Sequence, residues 1–114
     1  LHVIKTVEHV AFAELEEFYR KLEADARSKL VARESRFRAA SIPVEAAVSL
    51  GRRVEQVVLF ARDNRVDLIV MSSRRIDAES PATYWGAISH KVAILADCPV
   101  MLIKSDRVDR RADA

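Results

Sequence analysis

Apolar positions along the chain change period several times, and each change marks an element. Leu1–Val7 (LHVIKTV) is short and rich in β-branched residues, which predicts a strand. From about Val10 the apolar positions recur at three- and four-residue steps, through Leu15, Phe18, Leu22, Ala26 and Leu30. Glu16, Glu17, Arg20, Lys21, Glu23 and Asp25 fill the other faces. This predicts a long amphipathic helix reaching to Arg36. Its stripe is narrow enough for a coiled-coil seam. With so few heptads, packing against a core is the expected use.

Ser41-Ile42-Pro43 breaks that helix, because Pro43 drives Ile42 out of the α region. Val44–Leu50 then alternates, with Val44, Ala46 and Val48 on one side, as a half-buried strand does. Gly51 is expected to end it. Val54, Val57, Val58 and Ala61 restore the helical step over Arg52–Asn64. Asp67–Met71 (DLIVM) is a continuous apolar run, expected of a parallel strand covered on both faces. Ser72–Trp85 is polar, contains Pro81 and has no period, which predicts a loop of about fourteen residues; loops that long usually carry function. Gly86–Asp97 reads as a helix with Ile88, Val92 and Leu95 inward, and Val100–Lys104 as a last apolar strand. Ser105–Ala114 is a charged tail, expected to be flexible.

The order β-α-β-α-β-α-β predicts an α/β fold, a doubly wound and mostly parallel sheet with right-handed crossovers and helices on both faces. Ligands in such sheets sit beyond the carboxyl ends of the strands. The loop after Met71 lies at such an end.

Composition narrows the function. At 114 residues the chain is one domain in size, and 50% of it is hydrophobic, enough for a core. Nineteen basic against seventeen acidic residues is too even for a nucleic-acid binder. No apolar run is long enough to span a bilayer, so no membrane insertion is expected. The lone Cys98 leaves no internal disulfide or Cys-rich zinc site, which suits a reducing cytoplasm. His2, His9 and His90 have no metal-ligand spacing. The chain has only two glycines, Gly51 and Gly86, so a loop needing several of them is excluded. It begins at Leu1 without a leader pattern, as expected of a fragment or of a chain lacking its true start.

Val66–Met71, the loop, Gly86-Ala87-Ile88-Ser89-His90-Lys91-Val92, and Asp97-Cys98-Pro99-Val100-Met101-Leu102-Ile103-Lys104 together resemble the C-terminal half of the universal stress protein family. Leu1-His2-Val3-Ile4 resembles the family's second strand, and Gly51 with its following helix resembles its third strand–helix turn. The resemblance covers residues 1–104 and implies the adenine nucleotide alpha hydrolase-like parallel sheet. It also implies that this chain lacks the family's first strand, which is central in the sheet and ends in an acidic residue contacting adenosine. Without that strand, its neighbours carry unpaired backbone groups.

The resemblance implies a nucleotide site as well. ATP-binding members carry Gly-x-x-Gly, a spacer, then Gly-Ser or Gly-Thr, whose backbone holds phosphates at a helix start. Here those positions are Ser72, Arg75, Gly86 and Ala87, so only Gly86 is kept. Val3, Met71 and Ile88 complete the site that the resemblance implies. Arg74 and Arg75 could pair with phosphate oxygens; as a solvated loop pair they do nothing of the kind. The family contains a branch that does not bind ATP, and this loop resembles that branch.

Ser89 and His90 point about 100° apart on a helix and make no nucleophile–base pair; a surface role is expected. Cys98 is expected to be a buried small hydrophobe. Tyr84-Trp85 fits loop packing and a contact surface equally. With no carboxylate pair, triad or metal cluster in the pattern, enzymatic activity is not expected.

The resemblance thus implies a cytoplasmic regulatory domain in stress response, working by protein contact with a client. It also implies a homodimer through the last strand, Val100, Met101, Leu102 and Ile103. No cofactor is expected. The alternatives are an ATP- or AMP-binding member with a divergent loop, or a regulatory domain of a membrane transporter or sensor kinase.

Overall fold

Strand β1 (His2–Lys5) pairs in parallel with β2 (Val48–Gly51), with His2 opposite Val48 and Lys5 opposite Gly51. The His2 N–H donates to the Ala47 carbonyl at 2.9 Å and the Thr6 N–H to that of Gly51 at 3.4 Å. In a parallel ladder, alternate residues bond to opposite sides. The even-numbered residues of β1 therefore face β2, and the N–H and C=O groups of Val3 and Lys5 point to the other edge. A computed structural model describes residues 1–74 and 88–105. The chain divides into two compact units, Leu1–Gln56 and Val57–Ala114.

Parallel strands need a crossover, and in the first unit it is α1 (Glu16–Ala39), preceded by a short 3-10 turn at Phe12–Glu14. Tyr19 and Ala26 are buried with Ile4 of β1; Leu15, Leu22, Val48 and Leu50 pack against them. The inward line is therefore Leu15, Tyr19, Leu22, Ala26 and Leu30. Phe18, expected inward, is 51% exposed. Helical geometry explains the exchange: position 19 lies closer than 18 to the axis through 22, 26 and 30. The polar end of Tyr19 is satisfied, because its hydroxyl accepts the Val7 N–H at 2.7 Å. Its ring stacks on Phe12 with centroids 5.3 Å apart.

α1 runs three residues past the expected Arg36. Exposed pairs four residues apart support its length: Arg20–Glu16, Arg27–Glu23 and Arg38–Glu34 at 2.9, 3.0 and 2.7 Å. Each contributes only tenths of a kcal/mol. Ser41 ends the helix in the left-handed region (φ 59), with the Ile42 N–H on the Phe37 carbonyl and the Ser41 N–H on that of Arg38. This is the Schellman arrangement, usually built on glycine. Helix α2 (Arg53–Asp63) ends the same way on Arg65 (φ 51), with the Val66 N–H on the Ala61 carbonyl. A chain with two glycines places other residues there.

The expected strand Val44–Leu50 is cut to Val48–Gly51, because the first ladder residue, His2, already sits opposite Val48, so no residue of β1 stands opposite Val44–Ala47. Gly51 is the last residue of β2, not its terminator. Its φ is +145, and a Cβ there would lie 2.8 Å from Gln56 Nε2. Gln56 Oε1 in turn accepts a hydrogen bond from the Ser49 hydroxyl.

In the second unit β3 (Ile69–Arg74) pairs in parallel with β4 (Val100–Ser105), Ile69 opposite Val100 and Arg74 opposite Ser105. Helix α3 (Ile88–Leu95) packs on both strands and buries Val92 completely. Ser72, Ser73 and Arg74, expected in the loop, belong to β3, because β4 supplies Ile103, Lys104 and Ser105 as ladder partners. Burial alternates along both strands. Ile69, Met71, Val100 and Leu102 are half-buried, whereas Val70 (57% exposed), Met101 and Ile103 are open. The run expected to be covered on both faces is covered on one. Gly86, Ala87, most of the 72–85 loop and the 106–114 tail lie outside the described residues.

Tyr19 anchors the first unit by ring and hydroxyl together. Tyr19→Phe is expected to lower the unfolding free energy by about 1 kcal/mol, by orphaning the Val7 N–H. Tyr19→Ala is expected to lower it by about 3–5 kcal/mol. Denaturant melts check both; a phenylalanine variant as stable as the parent would show that the hydroxyl contributes nothing.

Candidate functional site

The carboxyl end of β3 is where the sequence places the site. Met71 lies in the middle of that strand, half-buried and opposite Leu102 in the ladder. The next residue, Ser72, has its side chain exposed while its backbone pairs opposite Ile103. Ser72 is therefore held in a ladder and is not part of a free loop. Ser73 turns inward and is 5% exposed. Ile88 is half-buried at the first turn of α3. Met71, Ser72 and Ile88 thus belong to one βαβ unit. Arg75, Gly86 and Ala87 lie outside the described residues. Val3 belongs to the first unit, where it is half-buried and lines a cavity of about 280 Å³ beside β1.

The residues that join β3 to α3 are ones the pattern pointed away from. The Ser89 hydroxyl donates to the Ser73 hydroxyl at 3.4 Å, and both side chains are buried. Ser89 was expected at the surface. The inward line of α3 is Ser89 and Val92, with Ala96 half-buried just beyond, and Leu95, expected inward, is 58% exposed. Small residues on that line let the helix approach the strands closely, and the buried Ser89 hydroxyl finds an acceptor in Ser73, as burial of polar groups requires. A signal existed: Ser89 lies three residues before Val92, on the same helical face. His90 is half-buried and Lys91 exposed, so the three consecutive residues do not share a surface. Cys98, expected to be buried, is half-buried.

Among the described residues, no group of three or more His, Cys, Asp or Glu side chains could hold a metal ion. No described helix is long and apolar enough to cross a membrane.

Two βαβ units with parallel strands define an α/β domain, the class that places its ligands at strand ends. The model of the universal stress protein family matches residues 1–104, and the chain belongs to that family. Among curated proteins none matches by sequence. The chain is similar to a solved structure, that of the hypothetical protein MJ0577, which served for a structure-based assignment of biochemical function. The two share 24% identity with a TM-score of 0.73, over 93% of this chain and 74% of that one. This likeness shows the fold.

The serine pair makes its own prediction. Ser89→Ala is expected to cost about 1 kcal/mol of stability, the net value of one hydrogen bond. Ser89→Val is expected to cost about 1–3 kcal/mol, because it overpacks the close helix–strand contact. Thermal melts of the two variants check the order; a valine variant as stable as the parent would show that α3 is not tightly seated.

Proposed function

We propose that this chain is a regulatory domain of the universal stress protein type, acting in the cytoplasm by pairing with itself and contacting a client, without efficient nucleotide binding and without catalysis. The observation that carries this reading is Ser72. It stands where the family's ATP-binding members have the first glycine of the phosphate loop, and it lies within β3, in register with Ile103 of β4. By the family motif, a side chain at this position would crowd a phosphate that the glycine admits. Arg75 and Ala87 depart from the motif as well, the latter removing the hydroxyl donor. Gly86 alone keeps the family residue.

Self-pairing is supported at β4. Among the described residues β4 pairs with β3 only. The Ile69 N–H donates to the Pro99 carbonyl at 3.0 Å, which sets the alternation: Met101 and Ile103 bond toward β3. The N–H and C=O groups of Val100, Leu102 and Lys104 therefore point to the open edge. Such an edge invites pairing, and the exposed side chains of Met101 and Ile103 add apolar surface next to it. A second copy related by a two-fold axis would meet the same residues on its partner, an isologous contact.

Titration calorimetry of ATP with magnesium, and of AMP, is expected to show no binding up to millimolar ligand. Micromolar binding would overturn the reading and assign the phosphates to Arg74, Arg75 and the Gly86 turn. For self-pairing, Leu102→Pro removes an edge-facing N–H while sparing the bonds to β3. It is expected to convert the dimer to a monomer by light scattering; a variant that stays dimeric would exclude this strand as the interface.

A further inference from the structure

We propose that the solvent face of α1 docks a second copy of this chain, the two helices lying antiparallel across a two-fold axis. Every residue of this contact lies in the first unit, so it stands apart from the self-pairing of β4. The face is opposite the inward line of Tyr19, Leu22 and Ala26. A strand added to either edge of the β1–β2 pair would lie on the sheet side of α1 and leave this face open. On it Glu17, Ala24, Asp25, Ser28, Ala32 and Arg36 are exposed. Ala24, Ser28 and Ala32 recur every four residues, the ridge spacing on which helices interlock, and their small side chains admit a close approach.

Charge selects the occupant. Residues 16–25 carry four carboxylates against two cations, and residues 26–39 five cations against one carboxylate. The helix macrodipole favours such a bias only in the first and last turns, and Asp25, Lys29 and Arg33 lie between them. Pairs within the helix take up Glu16, Glu23 and Glu34 with Arg20, Arg27 and Arg38. Glu17, Asp25, Lys29 and Arg36 take part in no ion pair among the described residues. A copy of the same helix running the opposite way sets each acidic half against a basic half. With the axis level with Ala26 and Arg27, Glu17 meets Arg36 of the second copy and Asp25 meets its Lys29, and each contact occurs twice. A parallel copy would set like charges together. Complementary halves fix direction more than affinity, so the contact is weak and weakens further with salt.

Disulfide trapping reads this contact separately from β4. In a Cys98→Ser background, Ser28→Cys places a thiol close to the axis, whereas Ser35→Cys places one roughly 25 Å from its mate, at 1.5 Å of rise per residue. Both positions are exposed, and circular dichroism checks that each chain keeps its fold. Under mild oxidation of the full chain, the Ser28→Cys protein is expected to cross-link between copies, more slowly as salt is raised, and the Ser35→Cys protein is not. Adding Glu17→Arg or Arg36→Glu to the Ser28→Cys protein is expected to slow cross-linking about tenfold, because each reversal makes two attractive contacts repulsive. An equimolar mixture of the two reversed chains is expected to restore it, since every contact between positions 17 and 36 is then again one of opposite charges. Equal cross-linking at positions 28 and 35 would show that the copies do not meet antiparallel and would overturn the proposal. Absence of cross-linking at position 28, or a mixture that does not recover, would overturn it as well.

Discussion

A strand in a two-stranded parallel pair has its backbone satisfied on one edge only. The rest of this molecule follows from that constraint. Parallel pairing forbids tight turns, so each pair needs a helix as its crossover. α1 serves β1 and β2, and α3 serves β3 and β4. Alternation along the ladder then decides which amides are used and which are presented. Val3 and Lys5 are presented by β1, and Val100, Leu102 and Lys104 by β4. The self-pairing proposed for β4 is a consequence of ladder parity and depends on no catalytic side chain.

Packing explains why the ladders hold. In the first unit, Tyr19 joins helix to strand twice, by its ring among Ile4, Ala26 and their neighbours and by its hydroxyl on the Val7 N–H. In the second unit, Val92 is fully buried between α3 and the strands, and the buried Ser89 hydroxyl donates to that of Ser73. The two solutions differ in kind. One uses a large amphipathic side chain with its polar end satisfied; the other uses small residues that admit close approach. The second leaves the apolar residues Val70, Met101 and Ile103 exposed.

The alternation of strand and helix was readable from periodicity, because apolar steps of two and of three or four residues report which face an element buries. Strand ends were less so. Val44 alternates as a strand residue does, yet β1 offers it no partner; Ser72–Arg74 are polar, yet β4 holds them in register. Pairing is a property of two segments, and hydropathy describes one at a time. Tyr19 and Ser89 were passed over for a related reason. A hydropathy stripe favours Phe18 over Tyr19 and Leu95 over Ser89, whereas the fold chooses by angular position and satisfies the polar atom locally. Of the candidate site, Met71, Ser72 and Ile88 fall in one βαβ unit. Val3 belongs to the other unit, which periodicity along a single segment does not reveal.

The measurement that tests the central claim most directly is residue-resolved amide exchange along β4 as a function of protein concentration. If ladder parity governs the interaction surface, Met101 and Ile103 stay protected at every concentration, while Val100 and Leu102 exchange fast in dilute protein and slow as copies pair. If Val100 and Leu102 remain fast at concentrations where the protein is dimeric, the copies meet elsewhere and the account of the β4 edge is wrong.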